Sequence, residues 1–151
     1  MPDPLFDVRT PRFEIPLLFA GQSQKEGFVN ELAARIDGLL HLAVQGEATT
    51  PPASPAEGSA WLVGTNPTGD WSGQTGKIAL RQAGNWLFAA PRDGMRLLNL
   101  ASGQDMRFHG QWRIATKPQA PTGGTTIDAE SRTAIAAIIA ALATAGIVPM
   151  A

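Results

Sequence analysis

The 151-residue chain has no cysteine, no tyrosine and only two histidines, His41 and His109. Without cysteine there can be no disulfide, no thiolate metal site and no cysteine nucleophile. The histidines are far apart, and carboxylates such as Asp93 and Asp105 show no ligand spacing, so no metal site is expected. Charge is sparse as well: 17% of residues are charged and the formal net charge is −1. A long nucleic acid needs many cationic phosphate contacts, and this balance does not supply them. The longest uncharged stretch, Thr133 to Ala151, is rich in alanine and interrupted by Gly146 and Pro149, which does not suit a membrane span. The opening Met1-Pro2-Asp3-Pro4 lacks the basic and apolar runs of a secretory signal. The expectation is a protein made in the cytoplasm that binds neither membrane nor nucleic acid.

Catalytic arrangements are equally thin. Ser102, Asp105 and His109 flank a predicted hairpin loop, but no Gly-x-Ser-x-Gly elbow presents a strained nucleophile. His109 reads as a turn residue, and His41, near the end of the predicted first helix, as a complement to that helix's dipole. Gly76-Lys77 is followed by Ile78 and lacks the upstream glycine of a phosphate loop. No catalytic residue, cofactor or metal is expected, and the chain reads as a non-enzyme.

What is present falls into zones. Residues 1–50 carry four basic against seven acidic residues, residues 51–120 seven against four, a pattern suited to contacts between copies or with an acidic partner. Pro2, Pro4, Pro11 and Pro16 forbid a helix near the start and predict an extended arm over 1–22. Its apolar residues, Leu5, Phe6, Phe13 and Ile15 among them, need a surface to lie on and are candidate docking residues. Ser23-Gln24-Lys25-Glu26 has the pattern of a capping box opening a helix over about 24–44, within a 23–45 segment. Phe28, Leu32, Ile36, Leu39 and Ala43 form its predicted apolar stripe, with Glu31, Arg35 and Asp37 pointing elsewhere. A proline-rich linker over 46–57 follows.

From 58 to 116 short apolar runs alternate with glycine-bearing separators such as Ala83-Gly84-Asn85 and His109-Gly110-Gln111. The predicted class is α+β, mainly β: an antiparallel meander or small barrel, flanked by the arm plus helix and by a C-terminal helix. Gly-x-Trp occurs at Trp71, Trp86 and Trp112 with unequal spacing, which excludes a propeller repeat. Trp61, Trp86 and Trp112 read as core. Trp71, beside Asp70, is the candidate glycan contact should its loop present it outward. After a linker over 117–127, Asp128 caps a helix within 128–151 whose Ile135, Ile138, Ile139 and Leu142 follow the i, i+3, i+4, i+7 rule. So little charge surrounds this stripe that the helix is expected to join copies in a homo-oligomer.

Several runs carry a resemblance. Ile15-Pro16-Leu17-Leu18-Phe19-Ala20-Gly21-Gln22-Ser23-Gln24-Lys25, then Asn30-Glu31-Leu32, Asp37-Gly38-Leu39, Thr68-Gly69-Asp70-Trp71-Ser72-Gly73 and Ala90-Pro91-Arg92-Asp93-Gly94 occur in order. With Asp128-Ala129-Glu130-Ser131-Arg132 they resemble a domain family of unknown function found in bacterial prophages and gene transfer agents. The resemblance implies a structural protein on the surface of a virion or phage-like particle, partnered by a capsid or tail protein and a spike fibre protein. The chain's end after its C-terminal helix favours a spike base or adaptor over a fibre. The alternative expectation is a carbohydrate-binding module that recognises host surface polysaccharide.

Overall fold

The computed structural model describes residues 8–21, 23–125 and 128–149. The fold is α+β and mainly β, and it divides into two compact units, Met1–Pro91 and Arg92–Ala151. The single β domain expected over 58–116 is therefore split, and among the described residues no barrel closes.

The first unit contains α1 (Glu26–Leu39), β1 (Ala43–Val44), β2 (Glu47–Ala48), β3 (Ala60–Val63), β4 (Ile78–Gln82) and β5 (Asn85–Ala89). Its sheet runs β2-β3-β4-β5, antiparallel except for the parallel β2–β3 pair, so it is not a pure meander. Gln82 pairs with Asn85, leaving Ala83-Gly84 as a two-residue loop with φ of 49° and 75°, the twist that suits a tight hairpin. Side-chain alternation gives the sheet two covered faces. Ala60, Leu62, Ile78 and Leu80 are buried on one; Val63 and Ala79 are buried on the other, beside Trp61 and Phe88.

α1 lies on the Leu80 face, which reverses the expected orientation of this helix. Its buried residues are Ala33, Asp37 and Gly38, whereas Phe28, Leu32 and Ile36 are exposed. The reason is space: a Cβ on Gly38 would sit 2.7 Å from Leu80 Cδ1, so only a small-residue face can approach this sheet. The helix is also shorter than predicted. Ser23 and Gln24 have φ of 59° and 62°, so the chain is left-handed where the capping box should form, and Lys25 occupies the N-cap position without a side-chain cap. Glu26 Oε1 instead accepts from the Gly21 amide at 3.3 Å. At the other end Leu40 is already extended and His41 has φ 47°.

The second unit holds β6 (Arg96–Asn99), β7 (Gln104–His109), β8 (Gln111–Arg113) and α2 (Ala129–Thr144). The three strands form an antiparallel meander. Leu97, Gln104, Met106 and Val148 are its buried residues. Asp128 caps α2 as predicted: its Oδ1 accepts from the Ser131 amide at 2.8 Å, and this bond and one from the Ser131 hydroxyl hold its carboxyl below the ordinary value. α2 ends on Gly146, φ 71°, whose amide donates to Ala143 O while that of Ile147 donates to Leu142 O. The Gly146 carbonyl then accepts from the Asp105 amide at 2.8 Å, tying the chain beyond α2 to β7.

Candidate functional site

The described part of the arm is folded back on itself and onto α1. Arg9 and Pro16 pair as a β-bridge, the Thr10 amide donates to Ile15 O and the Leu17 amide to Val8 O, so residues 8–17 fold into a small hairpin. Asp37 of α1 anchors it. This fully buried carboxylate accepts from Thr10 Oγ1 at 2.6 Å, from the Phe13 amide at 2.7 Å, from the Arg12 amide at 3.2 Å and from Gln82 Nε2 at 3.1 Å. Burial alone would raise its pKa; the four donors together outweigh that and hold it below the ordinary value. The Arg12 guanidinium meanwhile caps the end of α1, donating to the carbonyls of Asp37, Gly38, Leu40 and His41 at 2.8–3.2 Å. The cation at this helix terminus is thus Arg12, and His41, expected in that role, lies beyond the helix with its ring 6.1 Å from that of Phe13. Asn30 clamps the next stretch through both the amide and the carbonyl of Leu18.

Beside this anchor a cleft of about 580 Å³ opens, walled by Val8, Pro11, Leu17, Ala34 and Leu87 and edged by Glu31, Glu57 and Asn85. It is an apolar trough whose rim carries charges of both signs, Arg9 as well as the two glutamates. Of the predicted docking residues, Phe13 is exposed, Ile15 is half-buried in the hairpin, and Leu5 and Phe6 lie outside the described residues.

Trp71 corrects the expectation of an outward ring. It closes the short 3₁₀ turn Gly69–Trp71 with no exposed surface. Its ring centroid lies 5.1 Å from that of Trp86 and 6.3 Å from that of Trp61, in edge-on and tilted contacts. Asp70 remains exposed, while Trp61 and Trp86 are half-buried and Arg81 lies 5.3 Å over the Trp86 ring. Trp112 is half-buried and packs edge-on against Phe108.

His109 pairs with Asp93 at 3.4 Å on an exposed turn, and Asp93 also accepts from the Gly110 amide at 2.7 Å. Among the described residues no hydrogen bond joins His109 to Ser102 or Asp105, so the formal triad is not assembled. No cluster of three or more metal-ligating side chains occurs among the described residues, and no described helix is long and apolar enough to cross a membrane.

α2 is the least covered element of the second unit. None of its residues is buried; Ile135 and Ile138 are exposed, the latter at 59%, and Ile139 and Leu142 are half-buried. A groove of about 580 Å³ runs between the helix and Lys117–Ala120, with Ile139 and Ala140 on its wall.

These features define a mainly β protein whose uncovered chemistry lies on apolar helix faces. The chain belongs to the family described as protein of unknown function (DUF2793), which matches residues 29–113, from α1 to the last residue of β8. The run at 15–25 and the helix beginning at 129 lie outside that match. No curated protein matches the chain.

Proposed function

We propose that the chain is a structural subunit of a phage-like particle, of prophage or gene-transfer-agent type, that self-associates through α2. In this reading it is a spike base or adaptor on the particle surface, joining a capsid or tail protein to a receptor-binding fibre. The observation that carries it is α2: sixteen residues with no buried side chain and no charge after Arg132. A helix so apolar on every side is a stable end state only when covered. The particle as its setting is proposed from the resemblance of the sequence runs quoted above to a family of prophage and gene-transfer-agent proteins.

Each isoleucine buried between copies contributes about 1.5–3 kcal/mol, enough in a ring or trimer to hold subunits together. Light scattering on the full chain should therefore give a multimer. Ile135→Asp with Ile138→Asp should lower the mass at least twofold while the circular dichroism spectrum stays that of a folded chain, since both side chains are exposed within one copy, and the melting temperature should fall by the share that association contributes. A monomeric wild type at high micromolar concentration would remove the self-association.

The proposed docking role is carried by Leu5 and Phe6, which lie outside the described residues, together with the exposed Phe13 and the half-buried Ile15. Deleting residues 2–7 leaves Thr10 and Arg12 in place and should spare the fold while reducing co-sedimentation with particles. Deleting 2–12 removes two of the four donors to Asp37, the Thr10 hydroxyl and the Arg12 amide, together with the cap of α1, and should destabilise the first unit by several kcal/mol. Normal incorporation of the 2–7 deletion would show that the anchor lies elsewhere.

A further inference from the structure

α1 carries its largest apolar side chains on the outside. Phe28 is 83% exposed, Leu32 59%, Ile36 46%, Leu40 45% and Val29 42%. Rotating the helix to bury them would take Asp37 from its four donors and push bulk into Leu80, which already leaves no room for a Cβ on Gly38. The stripe is therefore fixed on the surface by the packing beneath it. Single exposed apolar residues need no explanation, but five on one helix and its end make a patch on the order of 500 Å², as large as the largest patch on a typical monomer, which is often functional.

We infer that this stripe is a second self-association face, on which α1 of another copy packs antiparallel about a twofold axis between Leu32 and Ile36. Three observations select a second copy. Phe28, Leu32, Ile36 and Leu40 stand four apart and form one continuous ridge, and two such ridges interdigitate in the commonest helix-pair geometry, at about −50°. Antiparallel pairing sets Leu32 toward the other copy's Ile36 and Phe28 toward its Leu40, so each large side chain meets another. Charge agrees: Glu31 and Arg35, paired at 2.6 Å on the exposed helix, would come within a turn of the oppositely charged member in the other copy. Area sets the strength: the same patch counted on both copies gives about 1,000 Å², below the roughly 1,200–2,000 Å² of stable interfaces, so this is a weak, concentration-dependent contact. A chain with this face and a second one on α2 builds a closed ring where the symmetry operators close, and an open array where they do not.

The chain is free of cysteine, so one introduced thiol reports on one position. Full-length Leu32→Cys treated with a short bis-maleimide at micromolar concentration should give a covalent dimer. Thr75→Cys, on an exposed turn of the same unit, should give only background. Phe28→Glu with Leu32→Glu should at least halve the mass seen by light scattering and leave the circular dichroism spectrum that of a folded chain, since both side chains are exposed within one copy. Adding Ile135→Asp and Ile138→Asp to Leu32→Cys should leave the cross-link in place, which separates this face from the α2 reading. A cross-link that persists while those α2 changes leave the mass unaltered would sustain the α1 face and remove the α2 one. The inference falls if Leu32→Cys cross-links no better than Thr75→Cys, if the glutamate pair leaves the mass unchanged, or if the α2 changes abolish the cross-link.

Discussion

Asp37→Ala should cost the first unit about 3–5 kcal/mol in urea unfolding, because it removes the common acceptor of four donors at a buried site. Thr10 and Gln82 are themselves buried and would be left without this partner. Asp37→Asn should cost nearly as much: a neutral amide keeps one acceptor oxygen and turns an NH₂ toward groups that already donate. The pH dependence has a defined sign. The donors lower the folded pKa below the unfolded value of about 4, so the stabilisation is complete above that value and is lost as pH falls through the lower folded pKa. Acid titration of stability should accordingly show a limb below about pH 4 that is reduced in Asp37→Asn. An alanine variant within 1 kcal/mol of wild type, or an unchanged acid limb, would mean that the carboxylate does not anchor the hairpin.

Asp37 also shows where the sequence is a poor guide. Helical periodicity in Phe28, Leu32 and Ile36 identified a real helix with a real apolar stripe, yet periodicity does not say which face meets the core. That was decided by bulk: with Ile78 and Leu80 standing up from the sheet, the close-packing face is the one carrying Ala33 and Gly38. The buried carboxylate depends on Thr10 and Arg12 from one side and Gln82 from the other, residues remote in sequence that no local pattern joins. Its only trace is a lone acid between Ile36 and Gly38, which reads as solvated until its donors are placed. The Ser23-x-x-Glu26 spacing was present, but left-handed backbone at Ser23 and Gln24 removed the geometry it needs.

Local signals fared better where a single residue decides the geometry. Asp128 and Gly146 bound α2 because one supplies an acceptor and the other a positive φ. β3 to β8 were legible from apolar runs between glycines, and Ala83-Gly84 from its place between two such runs, whereas β1 and β2 fell in the predicted helix end and proline-rich linker. The parallel β2–β3 pair and the division after Pro91 were not legible, since both depend on which strands meet across intervening chain. The Gly-x-Trp units were visible as a recurring device, but Trp71 was placed by Val63, Ala79 and the flanking indoles, none of which its own loop predicts.

Trp71→Ala should then behave as a core truncation, with a loss of about 3–5 kcal/mol and a lower melting temperature. The ring is fully buried against Val63 and Ala79 and is flanked edge-on by Trp86, so its removal leaves a cavity beneath two large aromatic neighbours. Trp71→Phe should cost less, because it keeps an aromatic ring in the site and loses only part of the buried volume. Urea melts followed by circular dichroism measure both. The same variants bear on the carbohydrate alternative, since a sugar stacks on an exposed ring face and this one exposes none. Pull-down with host surface polysaccharide should show weak or absent binding by the wild-type chain. Binding that Trp71→Ala abolished while its melt stayed at the wild-type temperature would place the ring at the surface and restore the glycan-binding reading. Binding lost on Trp86→Ala instead would move the contact to the half-buried indole beneath Arg81, on the same sheet face but outside the predicted loop.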